Sequence, residues 1–177
     1  MKTWLGLILL LVTAAPLAAR AEEPPPANHL SIVYRDEAVV NADLATVWNL
    51  YVDMPRYAEW NPWIVYARAE AVVGTSVPVG VVLNGKVLDM AYHIVALDPM
   101  RRFCTKDEGF LAFFVPGSRC RYLEALPDGT TRTWQELQVD GVLAWLADLT
   151  FGATVRAGMH SEIDALKRKA EAGVTLP

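Results

Sequence analysis

Apolar positions along this chain recur every second residue, then every third or fourth, then every second again over a long middle stretch. LSIVYRDEAVV, residues 30–40, has strand composition. In NADLATVWNLY, residues 41–51, Leu44, Val47, Trp48 and Tyr51 fall at i, i+3, i+4 and i+7, which predicts an amphipathic helix opened by Asn41 or Asp43. Pro55 stops that helix and starts a second one of one to two turns. The second ends at Asn61-Pro62, because the residue before a proline is pushed out of the helical region.

From Val65 to Asp140 the period becomes two. The runs 65–73, 77–83, 86–97, 101–107, 118–126 and 131–139 are strand candidates, separated by Gly74, Asn84-Gly85, Asp98-Pro99, Pro116-Gly117 and Asp128-Gly129. This spacing describes an antiparallel meander. In the 86–97 run Leu88, Met90, Tyr92 and Ile94 point one way and Asp89 and His93 the other, so one face is wet and one is covered. The cover is a helical pattern from Val142 to Ala172, with Val142, Trp145, Leu149, Ala153, Met159, Ile163 and Leu166 as its expected apolar face. Gly152 and Gly158 each weaken a helix by about 1 kcal/mol relative to alanine and are expected at a bend or a close contact with the sheet.

The segments NADLATVWNLYVDMPRYAEWNPWI, HIVALDPMRRF, YLEALPDGTTRTWQELQVDG and ALKRKAEA, in this order of elements, resemble the START/Bet v 1-like superfamily. The likeness is strongest to its bacterial polyketide cyclase/dehydrase and lipid-transport members, and it runs from about residue 30 to 172. It implies an α+β helix-grip fold, in which a curved antiparallel seven-stranded sheet wraps a long C-terminal helix, two short helices follow the first strand, and a cavity lies between sheet and helix. The resemblance puts the stretch from Tyr57 to Ile64 near one end of that cavity. Trp60 and Trp63 are then candidates either for lining its mouth or for stapling the small helices to the sheet.

Residues 1–21 read as an export signal, with Lys2, an apolar run from Trp4 to Val12, and Ala19-Arg20-Ala21 as the cleavage spacing. Residues 22–28, with three consecutive prolines, read as a flexible leader, and 29–173 as one domain. The expected location is a bacterial periplasm or outside the cell. The chain carries a formal net charge of −4, and loss of Lys2 and Arg20 with the signal makes the remainder more acidic. Such a surface attracts neither nucleic acid nor anionic membrane. In an oxidising compartment Cys104 and Cys120 are either a disulfide or two half-buried thiols; a bridge would contribute about 3 kcal/mol in the chain-entropy model.

Catalytic spacings such as G-x-S-x-G, H-E-x-x-H and C-x-x-C are absent, so no catalytic residue, metal ligand or cofactor is assigned. His29, His93 and the His160–Asp164 pair read as surface groups rather than general bases. If Leu137 and Val139 face inward, so do Thr133 and Gln135; if Leu123 does, so does Arg121. An inward Arg121 needs a ligand anion, a carboxylate such as Asp53 or Glu59, or water at the rim. Tyr92 offers a hydroxyl to a ligand carbonyl, and Met90, Phe113, Phe114, Leu137, Leu149 and Met159 an adaptable apolar lining. The loop GFLAFFVPG, residues 109–117, is flanked by the two cysteines and is a lid, a docking surface for a periplasmic protein partner or a membrane, or an inward-folded turn. The expected function is to bind a hydrophobic or amphipathic small molecule such as a lipid, isoprenoid, quinone or polyketide-like compound. A cyclase or dehydratase in the same cavity, and an accessory protein of a periplasmic enzyme, are the alternatives.

Overall fold

The computed structural model describes residues 30–173; the signal, the leader and His29 lie outside the described residues. Strand β1 (Ser31–Val40) leads into helix α1 (Leu44–Val52), a 3₁₀ helix (Met54–Glu59) and strands β2 (Ile64–Ala67), β3 (Ser76–Leu83), β4 (Lys86–Asp98) and β5 (Arg102–Glu108). A single helical turn, α2 (Phe110–Phe114), separates β5 from β6 (Gly117–Ala125); β7 (Thr131–Asp140) and the long helix α3 (Ala144–Ala172) complete the chain. The strands form one antiparallel sheet in the order β1-β7-β6-β5-β4-β3-β2, curved around α3. This is the helix grip, with two short helices after the first strand.

Local chemistry sets the boundaries. Asp43 is the cap of α1, its Oδ1 accepting from the Thr46 amide at 2.7 Å, which also holds the carboxyl below its ordinary range. Asn84 and Gly85 both have positive φ, the geometry of a two-residue hairpin turn, and Asn84 ties that turn to the Thr150 carbonyl of α3 at 3.3 Å. Strand β2 ends at Ala67, well short of the expected residue 73. Pro78 of β3 accepts from the Arg68 amide through its carbonyl but has no N–H to return, so the edge pairing stops there.

The buried face of α3 differs from the one its bulkiest residues suggest. Val142, Trp145 and Ala153 are exposed, and Leu149 is 76 % exposed. The stripe that meets the sheet runs through Ala144, Gly152, Val155, Met159, Ile163, Leu166 and Ala170, at steps of three, four and eight. Small side chains occupy its first half, and size is what concealed the phase. Gly158 is the close contact expected of it, since a methyl there would overlap the Trp63 indole, whereas Gly152 faces Asp148 and Arg156 of its own helix.

Candidate ligand cavity

Inward positions of the sheet and the first half of α3 enclose a cavity of about 430 Å³. Alternation along β4 aims Leu88, Met90 and Tyr92 into it, and β3, β7 and α3 add Val81, Leu137, Phe151 and Val155. Tyr34 of β1 closes one wall by donating its hydroxyl to Asp148 of α3 at 2.8 Å. Phe110 of α2 borders the cavity while 79 % exposed, which puts the opening beside this turn.

The floor is polar. Arg119 of β6 borders the cavity and is only 3 % exposed, with its guanidinium 4.5 Å from the centre of the Trp63 ring. Its Nη2 donates to Glu162 Oε2 at 2.6 Å and to Gln135 Oε1. Arg121, two residues on and 1 % exposed, lies behind this layer between Tyr51 and Phe103 and donates from Nε to Glu162 Oε1 at 3.0 Å. Burial pushes the Glu162 carboxyl up, but Arg119 and Arg121 more than offset it and hold it below its ordinary range. Burial likewise opposes the Arg121 charge, and Glu162 together with Tyr57, Tyr51 and Tyr92 outweighs it and raises the guanidinium. Asp107 of β5 borders the cavity too; desolvation pushes its carboxyl up to about 6 despite the opposing pull of Arg119. Desolvation also raises the Tyr92 hydroxyl, with Asp107 the next cause.

Of the residues expected at the site, Trp63, Met90, Tyr92 and Leu137 line the cavity. Trp60 does not: it packs edge-on against Tyr57, ring centroids 5.2 Å apart, in a crevice beside Lys169 at the far end of α3. Met159 is buried in solid core, and Leu149 points to solvent. Phe113, 81 % exposed, and Phe114 pack edge-on against each other outside the cavity, while Phe110, Ala112 and Val115 of the same loop border it. Arg121 and Gln135 face inward as expected but lie behind Arg119, and Arg121 is paired with Glu162 rather than with Asp53, Glu59 or the solvent at the rim. Alternation along β6 carries Arg119 inward with Arg121, and along β5 Asp107 with Phe103 and Thr105, so both were available to the pattern. Glu162 was signalled by standing within the Met159–Ile163–Leu166 stripe.

Cys104 and Cys120 are direct cross-strand partners in β5 and β6 and form a disulfide beneath the α2 turn. His93 pairs with Glu108 at 3.1 Å, and His160 lies between Asp36 and Asp164 at the surface. No group of three or more His, Cys, Asp or Glu side chains that could hold a metal ion occurs among the described residues. No helix among them is long and apolar enough to cross a membrane.

A sheet gripping one helix around an internal apolar cavity defines a START-like cavity protein. The chain belongs to the family described as polyketide cyclase/dehydrase and lipid transport, which it matches over residues 31–171. Solved structures share the fold. The Zhui aromatase/cyclase of a Streptomyces species superposes with a TM-score of 0.68 at 18% identity, covering 80% of this chain and 94% of that one. A major latex-like protein of Panax ginseng gives 0.67 at 13%, covering 84% and 99%. A START superfamily protein of Mycobacterium smegmatis gives 0.63 at 15%, covering 80% and 99%. No curated protein matches the chain by sequence.

Proposed function

We propose that this is an exported binding protein that holds one hydrophobic or amphipathic small molecule between the sheet and the first half of α3. The observation that carries the reading is the cavity itself: about 430 Å³, walled mostly by aliphatic and aromatic side chains, open beside Phe110, with Arg119 at its floor and Asp89 and Glu108 toward its opening. Such a space suits a small lipid, isoprenoid, quinone or polyketide-like body. Burial of the apolar part drives binding at about 25 cal/mol per Å² of surface removed from water, and the floor orients the head. Export rests on the pattern of residues 1–21.

The neutral fluorophore phenylnaphthylamine tests this directly. It is expected to bind saturably at one site, and Met90→Trp or Ala147→Trp, which fill the cavity, should weaken it at least about tenfold. Leu149→Trp, on the exposed face of α3, should leave it unchanged. Equal affinity in all three variants would overturn the reading. Native against denatured mass spectra of periplasmic protein would then identify the natural cargo by the mass lost.

One observation favours a second reading, a cyclase or dehydratase in the same space: Asp107, titrating near 6, stands in an apolar cavity with Tyr92 and Arg119. Turnover that disappears in Asp107→Asn while cargo still binds would select it.

A further inference from the structure

The floor of the cavity holds more hydrogen-bond donors than acceptors. Two buried guanidiniums share one buried carboxylate, and both Glu162 oxygens are engaged, Oε2 by Arg119 and Oε1 by Arg121. Gln135 has its carbonyl on Arg119 and its amide on the Met159 carbonyl at 2.8 Å. Arg119 Nε and Nη1 are left without a partner among the described residues, as is the indole Nε1 of Trp63 beneath the same guanidinium. Arg121 has two unpartnered nitrogens as well, but it does not border the cavity. A buried donor without an acceptor is costly, and more so when it is charged. Arg119 is therefore the cavity-lining cation with hydrogen-bonding capacity to spare.

We propose that the cargo is an amphipathic acid, whose single anionic head docks on Nη1 of the Arg119 guanidinium while its apolar body lies toward Phe151 and Phe110. This rests on the binding reading above and names the ligand's chemical class. Tyr92 at the same end supplies a further donor, so a carboxylate or sulfonate can accept from Nη1 with one oxygen and from the Tyr92 hydroxyl with another.

Asp107 gives the site a pH dependence. Its carboxyl packs over Gly117 and faces Arg119 from β6 and Tyr92 from β4; Glu162 of α3 lies beyond Arg119, and Asp89 and the His93–Glu108 pair stand toward the opening. An ionised Asp107 competes with the ligand head for Arg119. Protonation near 6 removes that competition and adds a donor, so acid tightens anion binding.

The test compares anilinonaphthalene sulfonate with phenylnaphthylamine, which share one aromatic body and differ in a sulfonate that stays ionised throughout. The wild-type chain should prefer the sulfonate by about tenfold at pH 5 and by less at pH 8. Arg119→Gln should bring the ratio to about one. Asp107→Asn, which keeps Arg119 and its Glu162 pair, should hold the ratio at its acid value at both pH values, and this assigns the dependence to Asp107 rather than to His93. A wild-type ratio near one would mean that water satisfies the guanidinium, and it would overturn the acid while sparing the cavity. Failure of both dyes to bind would overturn the cavity reading and the acid with it.

Discussion

The two ends of the grip are built from the same sheet and the same helix, yet one is solid and the other hollow. At the C-terminal half of α3, Met159, Ile163, Leu166 and Ala170 meet a plug formed by α1 and the 3₁₀ helix, which contribute Val47, Tyr51, Met54 and Tyr57. Polar inward residues of β7 are absorbed there, Thr133 on the Tyr51 hydroxyl at 3.1 Å and Thr131 on the Ala42 carbonyl at 2.8 Å. At the N-terminal half only the single turn of α2 borders the space among the described residues, and α3 presents Ala147, Phe151 and Val155 to a hollow that the sheet alone cannot fill. The layer of Arg119, Arg121, Gln135 and Glu162 divides them. A curved sheet around one helix thus has room for either a second pair of helices or a ligand, and the short helices determine which end receives which.

The dividing layer is where the comparison breaks most severely. Glu162→Ala leaves two buried guanidiniums facing each other with no carboxylate, so a loss of about 3–5 kcal/mol is expected in urea unfolding. Acid should act in the same direction. Glu162 titrates below its ordinary value in the folded chain, so its contribution is intact above the unfolded pKa and is lost as pH falls through the folded one.

Matched truncations in the two halves sharpen the contrast. Met159 is fully buried in the solid half, and Met159→Ala should cost about 2–5 kcal/mol. Met90 is half-buried and already faces open volume, so Met90→Ala should cost about 1 kcal/mol or less while changing dye affinity. Equal losses from the two would show that the cavity end is as tightly packed as the other.

This contrast also marks what could be read in the sequence. Periodicity and turn residues suffice for the element order and, with the resemblance, for the helix grip, because each strand and helix announces its own period. Alternation places Met90, Tyr92, Leu137 and Arg121 on the inner face, but inner face and cavity are different properties. Met159 and Gln135 face inward and still lie outside the hollow, since depth depends on what packs opposite. Leu149 and Phe113 misled through size: a large apolar side chain is costly in water only if an alternative place exists for it, and here the small residues Ala144 and Gly152 occupy the buried face of α3. Arg121 pairs with neither Asp53 nor Glu59 but with Glu162, the one charge in an apolar helical stripe, and that position is the informative one in the sequence.

The remaining expected effect concerns Asp107, and its sign distinguishes a cavity floor suited to a ligand from one suited to stability. Its folded-state carboxyl is held near 6, above the ordinary 3.8, so the folded chain prefers the neutral form. That contribution is fully present below the unfolded value and is lost as pH rises through about 6. Above this range the ionised group is a burden on the order of 3 kcal/mol, which Asp107→Asn removes. The variant should therefore be more stable than the wild-type chain in urea at pH 7.5 and indistinguishable from it at pH 3.5, where Glu162 weakens both alike. A variant that is less stable at pH 7.5 would mean that Asp107 and Arg119 act as a structural ion pair. A more stable one leaves the carboxylate as a group kept at the cavity floor at the expense of folding, as a ligand-tuning group would be.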